Sequence, residues 1–144
     1  MDETDLEILH ILRKNARTPL SHISKEIGLS SPSIKDRLEK MEREGVILGY
    51  RPVIEYAKLG QGLTAFVFLI LEYPKCCSDD FADKLRALPG VVEGHYTDGD
   101  YDLLLKVVTE NPESLRDALN SINAVDGVAN TKTIISLANP IREF

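Results

Sequence analysis

The sequence has no tryptophan and only two cysteines, which are adjacent at Cys76 and Cys77. Neighbouring cysteines cannot link distant parts of the chain by a disulfide, and they supply only half of a four-ligand metal site. The three histidines are scattered, and no glycine-rich phosphate-binding loop is present. We therefore expect free thiols in a reducing compartment, no cofactor, no metal site and no catalytic constellation.

The chain also lacks a long hydrophobic run. Its most apolar stretch, residues 65–71, has seven residues, whereas crossing a bilayer takes roughly 20. The first residues, MDETDLEI, are acidic and lack the basic and apolar regions of a signal peptide. These patterns predict a cytoplasmic protein with no membrane partner.

An excess of positive charge, which favours nucleic-acid binding, is missing from the chain as a whole, since the formal net charge is -6. The excess acid lies entirely in the second part: residues 1–60 contain ten Lys/Arg and ten Asp/Glu, whereas residues 61–144 contain seven and thirteen. Residues 13–51 contain nine basic and five acidic residues, a local charge of +4. The first part of the chain can therefore present a phosphate-facing surface.

Residues 1–28 predict two helices. Residues 5–14 carry Leu6, Leu9 and Leu12 at helical spacing, with Ile8 and Ile11 on adjoining positions, and are predicted to form a packing helix. The acids at its start, Asp2, Glu3 and Asp5, suit the positive end of the helix dipole. A second helix begins at Thr18-Pro19 and ends at Gly28, because glycine commonly adopts the left-handed conformation that follows a helix. Its predicted inward-facing residues are Leu20, Ile23 and Ile27.

A third helix is predicted to begin at Ser31-Pro32, because serine caps helices and proline loses no hydrogen bond in the first turn. Its apolar stripe consists of Ile34, Leu38 and Met41. The opposite side carries Ser33, Asp36, Lys40 and Arg43. Only residues 28–31 separate the second and third helices, which is the short turn of a helix-turn-helix. After Gly45 the segment VILGYRPVIEY predicts extended structure, which makes the motif winged.

The pattern changes after residues 57–62, AKLGQG, which we interpret as a hinge. The predicted elements beyond it are a strand at 63–72, a helix at 79–88, strands at 91–97 and 101–109, a helix at 112–123 and a strand at 128–137. This β-α-β-β-α-β order is typical of a ferredoxin-like domain. The predicted fold is α+β, with a winged helix-turn-helix domain at 1–56, the hinge at 57–62 and a ferredoxin-like domain at 63–144.

The first predicted strand is apolar on both faces. Val67, Leu69 and Leu71 alternate with a second apolar set, Phe66, Phe68 and Ile70. An antiparallel sheet with one face in water usually alternates apolar with polar residues. We therefore expect the sheet of a second subunit to cover the open face in a homodimer.

The motifs together resemble the Lrp/AsnC family of prokaryotic transcription regulators, also called feast/famine regulatory proteins. The resemblance covers essentially the whole chain and is most specific at DRLEKMEREGVILGY and GDYDLLL. It implies that the first domain binds double-stranded DNA, and that the second dimerises, assembles further to an octamer and senses a small effector, an amino acid. One departure is EYA at residues 55–57, where many relatives have Asp-Pro before the KLG of the hinge.

The resemblance makes the third helix the recognition helix, whose contacts concentrate near its amino terminus. Serine hydroxyls there can donate to phosphate or base edges, and the helix dipole favours phosphate. The candidate DNA-binding residues are Ser31, Ser33, Lys35, Asp36, Arg37, Lys40 and Arg43.

Each of these side chains also has an interpretation without DNA. Lys35 and Arg37 either contact DNA or form surface ion pairs, and Glu44 or Asp36 would be the partner of Arg37. The two later basic residues either position phosphates or are merely solvated. Asp36 either accepts a hydrogen bond from a cytosine amino group or makes no favourable contact.

The loop TDGDYD at residues 97–102 is the candidate effector site. Its aspartates crowd a short connection, and the ammonium group of a ligand would relieve that charge; the alternative is an ordinary turn, since Asp and Gly suit tight connections. In the family this loop helps to form the effector pocket where dimers meet, and two threonines on the last strand match positions that line the same pocket. The candidate effector-binding residues are Gly99, Asp100, Tyr101, Asp102, Thr131 and Thr133.

Two other functions fit the same architecture. Sirohaem decarboxylase subunits resemble this family in both domains, so fold by itself does not exclude an enzyme. They carry an Arg-Arg-Phe-Gly run and an Arg-His pair, where this chain has LGYR at 48–51 and EYAK at 55–58. A co-regulator that pairs with a relative and does not bind DNA is the other alternative, given the weak basic charge.

Overall fold

Three helices occupy residues 1–54, and a four-stranded sheet with two helices occupies residues 55–141, in the computed structural model, which describes residues 1–141. The chain divides into two compact units between Ile54 and Glu55. Within residues 1–141, every helix is too short or too polar to span a bilayer.

The helices of the first unit are α1 at Glu3–Lys14, α2 at Leu20–Ile27 and α3 at Ser31–Arg43. Each helix contributes to one buried cluster, Ile8, Ile23, Ile34, Leu38 and Met41. The predicted stripe of α3 is thus confirmed. The prediction for α1 is wrong at Leu6, which is 54% exposed, because the buried face of this helix centres on Ile8.

The turn between α2 and α3 follows the predicted chemistry with one shift. Gly28 adopts the left-handed conformation at φ 79°, and its N–H donates to the Ser24 carbonyl at 2.9 Å. The cap of α3 is Ser30, however, and not Ser31 as predicted. Ser30 Oγ accepts from the Ser33 N–H at 3.3 Å, so the helix begins one residue earlier than the sequence suggested.

Residues 46–55, predicted to be extended and to make the motif winged, form no hydrogen-bonded strand. The amides of Val46 and Ile47 donate to the Met41 carbonyl at 2.8 and 3.1 Å, and Ile47 packs against the helical core. The hydroxyl of Tyr50 donates to Glu42 Oε1 at 2.8 Å. An extended segment becomes a strand only when a second strand pairs with it, and within the first unit the described elements are all helical.

The second unit contains, in chain order, β1 Leu63–Leu71, α4 Phe81–Arg86, β2 Val91–Tyr96, β3 Leu103–Thr109, α5 Pro112–Asn123 and β4 Val128–Ile135. The strand order is β2-β3-β1-β4, and all neighbours are antiparallel. This confirms the ferredoxin-like prediction. Helix α4 is shorter than predicted, and a short 3-10 turn, Lys75–Cys77, precedes it. Another 3-10 turn, Tyr56–Leu59, begins in front of the predicted hinge and covers half of it.

The two helices cover one face of the sheet. Ala65, Val67 and Leu69 of β1 are fully buried in the core with residues of α4 and α5. The alternate residues Phe66 and Phe68 are half-buried on the other face, and the next one, Ile70, is 38% exposed. The described residues therefore leave one apolar sheet face uncovered.

Candidate DNA-binding and effector sites

The buried stripe of α3 determines which side chains that helix presents. Asp36, Lys40 and Arg43 are exposed on the side opposite the stripe, while Ser33 and Lys35 are exposed on its two flanks. Ser31 is half-buried at the start of the helix. The predicted opposite side is thus confirmed for Asp36, Lys40 and Arg43, whereas Ser33, which was predicted there, lies on a flank because it directly precedes the buried Ile34.

The amino terminus of α3 carries hydroxyl groups that can serve an anion. Ser30 Oγ and Ser33 Oγ are 2.8 Å apart, and Ser30 also accepts from the Ser33 amide. A helix amino terminus with free donors attracts phosphate through its amides and its dipole. Ser30 therefore joins the predicted serines at this end of the helix. The sequence signal for it is the group of serines at positions 30, 31 and 33.

Lys35 forms an ion pair with Glu39 one turn later, at 3.4 Å between Nζ and Oε1. Both side chains are more than half exposed, at 63% and 55%. Solvent and salt screen such a pair, so it contributes little to stability. The lysine can therefore exchange this partner for a phosphate at low cost.

Arg37 behaves differently, because its partners lie on α1. Its Nη1 donates to Asp2 Oδ2 at 2.7 Å and to Asp5 Oδ1 at 2.6 Å. The sequence-based suggestion of Glu44 or Asp36 as its partner is therefore wrong, because the guanidinium is bonded to the acids at the start of the first helix. The hydrogen bond from Arg37, together with one from the Asp5 amide, lowers the pKa of Asp2. Two hydrogen bonds lower the pKa of Asp5: the larger effect comes from the Asp2 amide and the smaller one from Arg37. The hydrogen bonds to both acids raise the pKa of Arg37.

Sequence reasoning treated the acids at the start of α1 as complements of the helix dipole and missed their second contact. Asp2 and Asp5 form a capping box, in which each carboxylate accepts from the amide of the other at 2.9 Å. Asp5 is buried, with 3% of its surface exposed. An acid three residues after an N-cap acid was the available local signal.

The effector loop at residues 97–102 is bonded to the end of β1. Asp102 Oδ2 accepts from the Leu71 amide at 2.8 Å, and the Asp102 amide donates to the Leu69 carbonyl at 2.9 Å. Thr97 closes the loop by donating its amide to the Asp102 carbonyl and its hydroxyl to the Tyr101 carbonyl. Asp102 therefore has a structural role, whereas Gly99 and Asp100 lie exposed at the tip.

The remaining candidate effector residues lie on two different sheet faces. The ring of Tyr101 packs on Phe68 of the open face, at 5.2 Å between centroids, and Lys132 Nζ lies 5.9 Å from the Tyr101 centroid. Thr131 and Thr133 are paired with the core residues Leu69 and Val67, so they project toward the helices. Within one protomer the six candidates therefore do not form a single enclosed site.

A groove of about 590 Å³ lies beside the effector loop, between it and the segment after β1. Of the residues that line this groove, only Thr97 and Asp102 belong to the loop predicted from the sequence. The sequence did not indicate the others: Leu71, Tyr73, Cys76, Cys77, Ser78, Asp79, Ala82 and Tyr96. The sulfur atoms of the two cysteines are 4.0 Å apart, and both are free thiols, as predicted. Burial, together with the neighbouring Cys77, raises the pKa of Cys76, which disfavours the thiolate. Across residues 1–141, no group of three or more His, Cys, Asp or Glu side chains is arranged to hold a metal ion.

Comparison with known proteins identifies both units. Residues 1–47 match the family model for winged helix-turn-helix DNA-binding domains, and residues 64–144 match the model for the Lrp/AsnC ligand binding domain. The chain is 37% identical to the regulatory protein AsnC of Haemophilus influenzae over 98% of this chain and 94% of that one. It is 37% identical to the HTH-type transcriptional regulator LysM of Saccharolobus solfataricus over 95% of this chain and 94% of that one.

The fold agrees with the same identification. The solved structure of E. coli AsnC matches with a TM-score of 0.85 at 34% identity, over 100% of this chain and 97% of that chain. The chain belongs to the Lrp/AsnC family, and it is a DNA-binding transcriptional regulator whose second unit is a ligand-binding domain.

Proposed function

We propose that the chain binds a roughly palindromic operator as a homodimer, with α3 of each protomer in a major groove, and that an amino acid modulates this binding. The observation that carries the proposal is the exposure of α3: its stripe is buried, while Ser33, Lys35, Asp36, Lys40 and Arg43 face solvent. Two such helices in a two-fold dimer read half-sites about one helical turn, or a multiple of it, apart.

The uncovered sheet face supports the homodimer. That face carries the half-buried Phe66 and Phe68 of β1 next to Ile134 of the edge strand β4, which pairs with Phe66 and is 48% exposed. Lys106 and Lys132, which pair with Phe66 and Phe68, lie beside these apolar side chains on the same face. Exposed apolar residues that are rimmed by polar ones mark an interaction surface. A copy of the same sheet is the matching partner, and contacts between dimers at the 97–102 loop would build the octamer.

An amino acid is the effector class that the loop chemistry favours. Asp100 offers a carboxylate to an ammonium group from the exposed loop, and the hydroxyls of Thr131 and Thr133 can serve a carboxylate. Because these residues do not converge within one protomer, the effector site including Gly99, Tyr101 and Asp102 would be completed between subunits. Effector binding would then be linked to assembly.

We further propose that the chain has no enzymatic activity and acts in the cytoplasm. The relatives reported above are regulators by name. The arginine pair and the histidine of the decarboxylase-like subunits are missing at residues 48–51 and 55–58.

The test is selection of bound sequences from a genomic DNA pool at one stated salt concentration, with and without a mixture of the twenty amino acids. We expect a roughly palindromic motif whose binding Ser33→Ala and Lys35→Ala each weaken by about tenfold, the loss of one charge-assisted or groove contact. We also expect an amino acid in the mixture to change the affinity, and dividing the mixture would identify it.

Lys84→Ala is the matched control, because Lys84 forms a comparable exposed i,i+4 ion pair with Asp80 in the second unit. It should leave operator binding unchanged. Enrichment no better than on non-specific DNA in both conditions would contradict the autonomous regulator and favour the co-regulator.

A further inference from the structure

Arg37 belongs to the recognition helix, yet its guanidinium is committed to another helix. Only 31% of its side chain is exposed, and its Nη1 bonds to two carboxylates that are 32 and 35 residues away in the sequence. This arrangement differs from that of Lys35, whose partner lies on the same helix and in solvent. Arg37 therefore connects α3 to the start of α1.

The two acids form a complete receptor for this guanidinium. Asp2 Oδ1 accepts from the Asp5 amide and Asp5 Oδ2 accepts from the Asp2 amide, which leaves Asp2 Oδ2 and Asp5 Oδ1 for Arg37. All four carboxylate oxygens thus have a partner. The carboxylate of Asp5 is 4% exposed, and a charge this deeply buried requires such pairing.

We infer that Arg37 is a positioning residue: it fixes the rotation of α3 against the capped start of α1, and it does not itself contact DNA. This inference rests on the proposed function of α3 as the major-groove helix. It assigns to Arg37 a role in operator binding that acts entirely through the other side chains of the helix.

Because of its position around α3, Arg37 controls how far this helix is rotated about its own axis. The residue is half-buried, between the buried stripe at Ile34 and Leu38 and the exposed side at Lys40. Apolar contacts are non-directional, whereas two short charge-assisted hydrogen bonds from one nitrogen define a direction. A small rotation of the helix would move Ser33 and Lys35 along the groove and out of register with the bases.

The experiment measures operator affinity against salt concentration for the full chain and for Arg37→Gln, Asp5→Asn and their double variant. It is run at a temperature at which circular dichroism shows every protein folded. We expect each single variant to weaken binding by about tenfold, comparable to one hydrogen bond to a charged group. We expect an unchanged salt slope, since no phosphate contact is lost, and a double variant no weaker than either single one.

Three further proteins calibrate the result. Lys40→Gln reports what a lost phosphate contact does, a salt slope smaller by about one. Asp2→Asn keeps an N-cap residue while removing one acid partner of Arg37, so it remains informative if Arg37→Gln does not fold. Glu3→Gln removes a negative charge next to Asp2 on the exposed surface of α1 and corrects for the general effect of charge on affinity.

The outcomes separate the roles. If Arg37 contacts a phosphate, Arg37→Gln lowers the salt slope by about one and Asp2→Asn tightens binding relative to Glu3→Gln, which would overturn the inference. Unchanged affinity of the folded variants would overturn it as well, because it would confine Arg37 to stability. If the wild-type protein itself has no operator preference, the proposed function fails together with the inference; if only the variants depart from expectation, the inference fails alone.

Discussion

At the residue scale, Tyr50 shows how a single side chain tethers a segment that has no strand to join. Its hydroxyl donates to Glu42 Oε1 at 2.8 Å, which holds the chain after α3 against that helix. Partial burial of the phenol, together with the hydrogen bond to the Glu42 carboxylate, raises the pKa of Tyr50 to about 12. Because its folded pKa lies above the unfolded value of about 10, this contribution to stability is complete below that value and is lost as the pH rises through about 12.

We expect spectrophotometric titration to show one tyrosine that ionises at about 12, identified as the component missing from Tyr50→Phe. The isosteric Glu42→Gln should move that component down toward about 10, because the amide keeps an acceptor but removes the negative charge. A Tyr50 component that titrates normally in the wild type, or that ignores Glu42→Gln, would contradict the hydrogen bond.

The sequence could not reveal which residues that are distant along the chain contact each other. The buried stripe at Ile34, Leu38 and Met41 follows from spacing within one helix, and it was predicted correctly. The partners of Arg37 are not local, because their proximity depends on how α1 crosses α3. Nearby acids such as Asp36 and Glu44 offered an equally good local pattern, and only the packed helices decide between them.

At the scale of elements, the packing of the helical core decides which apolar side chains are buried, and the sequence pattern alone assigns one of them wrongly. Ile34 is fully buried, whereas Leu6 belonged to the predicted packing face of α1 and is 54% exposed. We expect Ile34→Ala to lower the unfolding free energy of the first unit by about 2–5 kcal/mol, since it leaves a cavity. Leu6→Ala, the matched truncation, should change it by less than about 0.5 kcal/mol.

Amide hydrogen exchange at residues 1–54 measures the unfolding free energy of the first unit separately from that of the second unit. Equal losses from the two alanine variants would show that α1 is rotated relative to the structure described here, with Leu6 in the core.

Element boundaries were predictable where local chemistry sets them. Helix α5 begins at Pro112 behind an Asn111 cap and ends at Asn123, as predicted. Strand β3 begins at Leu103, two residues later than predicted, because Asp102 is bonded to β1 through its backbone and its carboxylate. Residues 46–55, the predicted wing, contain no strand for a different reason: alternation describes the side chains, whereas a strand requires a hydrogen-bonding neighbour.

At the scale of the whole molecule, the proposed homodimer depends on the open sheet face, because a two-fold dimer requires a self-complementary surface. That face was inferred from the alternation of β1 alone. The candidate effector residues were less predictable as one site, because Tyr101 lies on the open face while Thr131 and Thr133 face the helices. A site divided in this way has no local sequence signature of its own.

Two neighbouring isoleucines on β4 test which sheet face forms the dimer. Ile134 pairs with Phe66 on the open face, and Ile135 pairs with the core residue Ala65 on the helix side; they are 48% and 46% exposed. We expect Ile134→Asp to weaken dimerisation by at least about tenfold, because it places a charge beside Phe66 in the proposed apolar interface. Ile135→Asp introduces the same charge on the same strand and should leave the dimer intact.

Sedimentation velocity over a range of protein concentrations measures both variants, and operator affinity links the result to DNA binding. If the dimer forms through the open face, Ile134→Asp should also reduce operator binding, since two half-sites are then no longer read together. Dissociation by Ile135→Asp instead would move the interface to the helix side. Dissociation by Ile134→Asp with full operator affinity would mean that one protomer is sufficient for recognition, and the operator would then not need to be palindromic.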